Sequence, residues 1–364
     1  MTQASEPQIE NGVLVAPNGE LFLAGKAHNV FAYATGELRV DPTSIQNLRD
    51  NIEFRHERAR ALGIPYMHLI APEKFKVEPE GFPIESPRSI ADSYLEGGCQ
   101  FIYPIEELRP DAQGRSYYRT DTHWAQPGRM RMARLIGLNA GLDPASVNKT
   151  CQMMFEDMKA ADNPRFGDLG SKLVPPQGEP HLILKWRSPV EMFDNGVARV
   201  NYPMNDGRMT VVYSQHETAA DKILLIFGDS YLHACLANLA YLFKRIVFCR
   251  ARFWHEEVVT SVQPDVVVSQ MAERYLSFVS PDAVAPPFHM IPQLLGCPMT
   301  PRQRPPSPSH RHCRGGARRT YPCSNQERDA PGQTVGLHPA KKASRLADSC
   351  FLPERISRRG RVDW

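Results

Sequence analysis

No stretch of this 364-residue chain approaches the run of about eighteen apolar residues that spans a membrane, so nothing in it reads as a membrane helix. An excess of one charge is missing too. With 43 Lys and Arg against 40 Asp and Glu, composition points to neither a nucleic-acid partner nor an anionic membrane surface. The eight cysteines include no C-x-x-C pair and are too few for a disulfide framework in a chain this long. Cys235 and Cys249 lie in apolar surroundings and read as small buried hydrophobes, while Cys313, Cys323, His310 and His312 lack the regular spacing of a zinc site. The opening Met1-Thr2-Gln3-Ala4-Ser5-Glu6-Pro7 has neither the basic nor the apolar region of a secretory signal. What is present is an apolar fraction of 42%, enough for an ordinary core in one large domain or two modest ones.

One stretch organises the rest. The apolar run Ile223 to Phe227 stops at Gly228-Asp229-Ser230 and gives way to an Ala/Leu-rich segment from Tyr231 to Phe243. That pattern predicts a buried strand, a tight turn and a helix N-terminus, with Ser230 where the unpaired N–H groups of a first helical turn point. In an open α/β sheet such a turn lies at the carboxyl edge of the strands, where ligands bind. Two readings fit: a helix cap, for which Asp and Ser are both favoured, or a nucleophile with oxyanion donors already in place.

A nucleophilic serine needs a base, and one stands about a hundred residues upstream in Tyr117-Tyr118-Arg119-Thr120-Asp121-Thr122-His123-Trp124. On an extended segment Asp121 and His123 project to the same side. A carboxylate bonded to one ring nitrogen fixes the tautomer and leaves the other free to take a proton from Ser230. Taken alone, Asp-x-His is more often a metal pair or a structural histidine beside a turn aspartate; the Gly-Asp-Ser turn in the same chain is what favours a base.

These pieces together resemble a known family. Thr120-Asp121-Thr122-His123-Trp124 with Gly128, Gly228-Asp229-Ser230 closing an apolar strand, and Gln263-Pro264-Asp265-Val266-Val267-Val268 running into Glu273-Arg274-Tyr275-Leu276 look like the SGNH-hydrolase-like domain of the alginate O-acetyltransferases, the AlgX/AlgJ family. His68 to Lys74 with Pro79, and Gly167-Asp168-Leu169, are similar to further family segments, so the likeness covers roughly residues 10 to 285. It implies an α/β, flavodoxin-like three-layer domain with a parallel central sheet, and catalytic Asp121 and His123 ahead of Ser230 in the chain. It also implies acetyl transfer to an exopolysaccharide, from a donor handed over by a membrane acyltransferase partner, without metal or cofactor. The periplasm is the compartment that follows from the resemblance; the cytoplasm follows if Met1 is the true start.

Read in order, residues 1 to 11 are polar and expected to be disordered, ahead of an acetyltransferase domain over 12–290. Asn18-Gly19 between Val13-Leu14-Val15 and Glu20 to Leu23 predicts a hairpin. Asp41 or Thr43 caps a helix that ends at Gly63, and Ile64 to Ala71 forms the first core strand. Lys74 is then either a cation on the rim of the site or a solvated lysine on a loop. Trp124 is either a sugar-stacking platform or the wall behind the imidazole, and Tyr231, beside the serine, is counted with the substrate contacts. Arg129, Arg131 and Arg134 read as the wet face of a helix. The glycine-rich 167–170 loop either supplies an oxyanion N–H or is a plain turn. Pro180–Trp186 and Arg208–Ser214 read as strands of a small inserted β element, and His181 and His216 as structural. Arg252, past the strand 245–249, is the choice for a uronate carboxylate.

Residues 296–364 are crowded with Pro, Arg, Ser and Gly and cannot bury a core. They are a basic disordered tail, or the product of a reading-frame error. Two rival functions stay open alongside the transferase. A carbohydrate O-acetyl esterase would use the same three residues with water as acceptor, and a polysaccharide-binding scaffold would keep them without activity.

Overall fold

A computed structural model describes residues 8–25, 28–185, 187–197 and 206–294, all within one unit spanning Met1–Arg302. The expected tail over 296–364 lies outside the described residues.

Three short strands open the chain: β1 (Gln8–Glu10), β2 (Val13–Val15) and β3 (Leu21–Leu23), in antiparallel order β1-β2-β3. The Asn-Gly hairpin is as expected, with Gly19 at a φ of 81° that glycine adopts without strain. β1 corrects the expectation of disorder up to residue 11. Its exposed side chains gave no apolar signal, but its backbone pairs with β2 in the register Gln8↔Val15 to Glu10↔Val13.

The Pro42–Ala61 helix is capped by Asp41, whose carboxylate accepts from the Thr43 N–H at 2.8 Å. β4 (Tyr66–Ala71) follows it. Met158–Ala160 (β5) and Leu182–Leu184 (β6) form a two-stranded antiparallel sheet of their own. Then come β7 (Val190–Asp194), β8 (Met209–Ser214), β9 (Ala220–Gly228), β10 (Phe243–Arg250) and β11 (Val266–Ala272). The central sheet runs β4-β11-β9-β10-β8-β7; the first four strands are parallel and the last two antiparallel.

β8 therefore corrects the reading of Arg208–Ser214 as part of an insertion: of the two expected stretches, only 182–184 stands apart. The half-buried pattern of Met209–Ser214, alternating exposed and buried side chains, suits an antiparallel flank as well as an insert, so the sequence does not separate them.

The core strands carry apolar side chains on both faces because helices cover both. Leu224, Ile226, Val266 and Val268 pack on one side against Leu232, Leu236 and Leu239 of the Ser230–Leu239 helix and Met132 and Ile136 of the Gln126–Asn139 helix. Leu225, Phe227 and Val267, one residue out of phase, face Val258 and Val259 of the Glu256–Val262 helix. Ile70 and Met271 meet Leu48 and Ile52 of the Pro42–Ala61 helix. The three-layer α/β architecture is the one expected. β9 lies between β11 and β10, and the registers Ser269↔Phe227, Arg250↔Gly228 and Ala272↔Ala71 bring the carboxyl ends of four parallel strands to one edge.

Candidate active site

At that edge β9 ends at Gly228 and the helix begins at Ser230. Asp229 caps the helix: one carboxylate oxygen accepts from the Tyr231 N–H at 2.9 Å, the other from the Ala272 N–H at 2.6 Å. Its own N–H donates to Gln270 Oε1 at 3.1 Å. The capping reading thus belongs to Asp229, and the Ser230 hydroxyl stays available. Ser230 is half-buried, so its Oγ can meet a ligand without the chain opening.

His123 Nε2 lies 2.8 Å from Ser230 Oγ, and His123 Nδ1 lies 2.7 Å from Asp121 Oδ1. Asp121 is buried, which alone would raise its pKa, but the hydrogen bond to His123 and the Arg165 guanidinium hold it well below the usual 3.8. An ionised carboxylate can only accept, so Nδ1 donates and the neutral ring presents its Nε2 lone pair to the serine hydroxyl. A depressed carboxylate adds stability in full above its ordinary value of 3.8, and that stability is lost only as pH falls through the lower folded value.

The segment bearing these groups is braced from several sides. Glu179 accepts from the N–H groups of Arg119 and Thr120 at 2.9 and 2.7 Å, and from the Thr120 hydroxyl at 2.7 Å. Asp168 accepts from the Thr122 N–H at 2.8 Å and its hydroxyl at 2.6 Å, and Arg165 forks onto Asp121 Oδ2. Sequence reasoning passed over Arg165 and Glu179 because neither sits in a motif and both lie more than forty residues along the chain from what they hold.

The loop 167–170 braces as well. Its Leu169 and Gly170 N–H groups both donate to the Thr120 carbonyl, at 3.2 and 2.8 Å, which takes them away from any oxyanion. A Cβ on Gly167 would stand 2.1 Å from the Thr120 carbonyl oxygen and 2.6 Å from Asp121 Cβ. Gly167→Ala is expected to cost about 3 kcal/mol, the upper end of overpacking. A thermal midpoint unchanged from wild type would contradict this packing.

Lys74 and Tyr231 correct the expectation that they touch substrate, and of the two readings of Trp124 the structure favours the wall. Lys74 is 4% exposed; its ammonium lies 3.1 Å from Glu20 and donates to the carbonyls of Tyr118 and Arg119 at 3.0 and 2.9 Å. It supports the backbone that leads to Asp121, and neither a rim cation nor a solvated lysine describes it. Trp124 is 1% exposed, its ring edge-on to Tyr231 at 4.9 Å, and is part of the wall and not a platform. Tyr231 is 2% exposed and donates its hydroxyl to the Thr122 carbonyl at 2.6 Å, while Arg274, paired with Glu73 at 2.8 Å, donates to that hydroxyl at 2.7 Å. Its ring lies 4.9 Å from the imidazole.

Among the three arginines expected on a wet helix face, Arg131 is buried against Asp111, Ser116 and the Gly114 carbonyl, and Arg129 is half-buried with its Nε on the Trp124 carbonyl at 2.9 Å; Arg134 is exposed. Arg252 is exposed beyond the end of β10, its carbonyl held by Arg55 at 2.9 Å. Among the described contacts none joins it to Ser230 or His123.

Asp121, His123 and Asp168 also offer three ligand atoms within 4.8 Å of one another. A cation there would have to displace the Arg165 fork from Asp121 and the Thr122 hydroxyl from Asp168, so these residues do not fit a metal well.

Fold and site define an α/β protein with an aspartate, an imidazole and a hydroxyl in one hydrogen-bonded line at the open edge of a largely parallel sheet. No family model and no curated protein matches the sequence. Among solved structures, the chain is similar to the O-acetyltransferase domain of Pseudomonas putida AlgJ at 18% identity over 77% of this chain and 98% of that one, with a TM-score of 0.46. It is similar to a DHHW family protein from Eubacterium siraeum at 14% identity, over 75% and 94% of the two chains, TM-score 0.49. Bacillus cereus PatB1 follows at 15% identity, 65% and 92%, TM-score 0.46.

Proposed function

We propose that this protein is a serine-dependent O-acetyltransferase that moves an acetyl group through an acetyl-Ser230 intermediate to a hydroxyl of an exopolysaccharide of the alginate type. The observation that carries the reading is the unbroken line from Asp121 through His123 to Ser230, with contacts of 2.7 and 2.8 Å. Ser230 Oγ attacks the acetyl carbonyl as His123 Nε2 takes its proton, and Asp121 holds the ring and stabilises the imidazolium. The tetrahedral oxyanion is met by the Ser230 N–H. Each donor of that kind is worth about a hundredfold or more in rate. His123 then returns the proton to the departing donor, and afterwards draws one from the incoming sugar hydroxyl as that oxygen attacks the acetyl-serine. Arg252 is the residue proposed to meet a uronate carboxylate, since it is exposed at the same sheet edge. The acetyl donor is proposed to come from a membrane acyltransferase partner, which would place the reaction in the periplasm.

The test is incubation with an activated acetyl ester, with and without a mannuronate oligosaccharide. Acetylated oligosaccharide is the expected product, identified by mass spectrometry. Acetate release that the oligosaccharide leaves unchanged, with no acetylated sugar, would instead establish the esterase, in which water takes the acceptor's place.

A further inference from the structure

Arg165 lies outside every motif that pointed to chemistry, yet it touches the acid of the line directly. Its Nε and Nη2 donate to Asp121 Oδ2 at 3.1 and 2.5 Å, and its guanidinium sits 4.7 Å from the centre of the Tyr118 ring. The Asp121 carboxylate is thereby divided. Oδ2 belongs to Arg165, and Oδ1 accepts from the backbone N–H of His123 at 3.0 Å and faces its Nδ1 at 2.7 Å.

We propose that Arg165 is a positioning residue that sets both the orientation of Asp121 and the basicity of His123, so that the imidazole is kept unprotonated, and able to act as base, to lower pH than its two carboxylate neighbours alone would allow. This rests on the acyl-transfer reading of Ser230.

The charges around the ring decide the sign. Asp121 touches Nδ1, and Asp168 Oδ2 lies 3.8 Å from the same atom. Both favour the imidazolium. From the helix side the ring meets Tyr231, behind which Arg274 is paired with Glu73. Asp229 is spent on the Tyr231 and Ala272 amides, and Arg129 covers Tyr118 at 5.7 Å. Arg165 is the cation in direct contact with Asp121, and it offsets part of the carboxylate field at the ring.

Replacing Arg165 by a neutral residue restores that field, stabilises the imidazolium and raises the pKa of His123. The acid limb of kcat/KM, which reports the free enzyme's base, should then move up by about one pH unit, the scale of one charge acting across a partly solvated site. Lysine keeps the charge and loses the fork, so it should slow turnover by about tenfold while leaving the limb in place.

The experiment uses the full chain as R165Q, R165M and R165K, following the His123 imidazole by NMR across pH beside the pH profile of acetyl-ester turnover. The ring's own resonance is needed because burial pushes Glu73 up to about 6, against Arg274, and a second group could then shape the turnover profile. An imidazole pKa raised in R165Q and R165M but not in R165K is the expected result. An imidazole that titrates alike in all forms, even where turnover falls, would make Arg165 a plain brace and overturn the proposal. Should the neutral variants fail to fold, R165K decides: an imidazole pKa raised there, where the positive charge is kept, would overturn the proposal. A wild-type protein that transfers no acyl group, yet shows the raised imidazole pKa in R165Q, would sink the proposed function and leave the Arg165 coupling standing.

Discussion

Ser230→Ala should abolish acetyl transfer, with a loss of about ten-thousandfold or more in turnover of an activated acetyl ester and no acetylated protein in a mass-spectrometric trap. The size follows from what else is within reach of the base. Ser230 Oγ is the hydroxyl 2.8 Å from His123 Nε2. The Thr122 hydroxyl lies 3.5 Å from the other ring nitrogen and already donates to Asp168 at 2.6 Å, so it cannot substitute. The helix itself should survive, because its cap is Asp229 and the lost hydroxyl is half-buried; a thermal midpoint close to wild type, within about 0.5 kcal/mol of stability, is expected. Stability and activity therefore separate in this variant. Retained turnover in a folded Ser230→Ala protein would end both the transferase and the esterase readings, and retained oligosaccharide binding by a wild-type protein with no acetyl-serine would favour the scaffold.

Much of the fold was legible because its signals are local. The run Ile223 to Phe227 breaking at Gly228-Asp229 is a strand and a turn whatever surrounds it, and Asp41 ahead of Pro42 is a helix start. Asp121 and His123 stood out because they are two residues apart. What stayed hidden depends on distance along the chain. Whether a lysine at a strand exit is wet or buried is decided by Glu20, more than fifty residues earlier, and by two carbonyls more than forty later. Tyr231 reads as a ligand contact and Trp124 as either a platform or a wall because their burial is set by distant partners; here the Trp124 ring packs on Tyr231, and Tyr231 packs on the imidazole. Arg208–Ser214 reads as part of an insertion for a similar reason, since an antiparallel flank and an inserted hairpin share one pattern and differ only in partner.

Asp121→Asn is the second large effect, and the direction of its amide can be worked out in advance. Arg165 has only donors to offer, so the fork at the former Oδ2 position demands the amide oxygen there. The NH2 group is then turned toward His123. Facing a donor, Nδ1 must become an acceptor, and the neutral ring carries its proton on Nε2, pointed at Ser230 Oγ with no lone pair to receive the serine's proton. A wrong tautomer of this kind costs about ten-thousandfold in turnover. The His123 backbone N–H, which donates to Oδ1 at 3.0 Å in the native protein, would also face a donor, adding about 1–3 kcal/mol of destabilisation. Steady-state turnover gives the first number, a thermal midpoint the second, and 15N shifts of the imidazole report the tautomer directly. A loss smaller than about tenfold, or a ring that keeps its proton on Nδ1, would mean that Asp121 does not orient the base, and the line from carboxylate to hydroxyl would be a packing arrangement and not a relay.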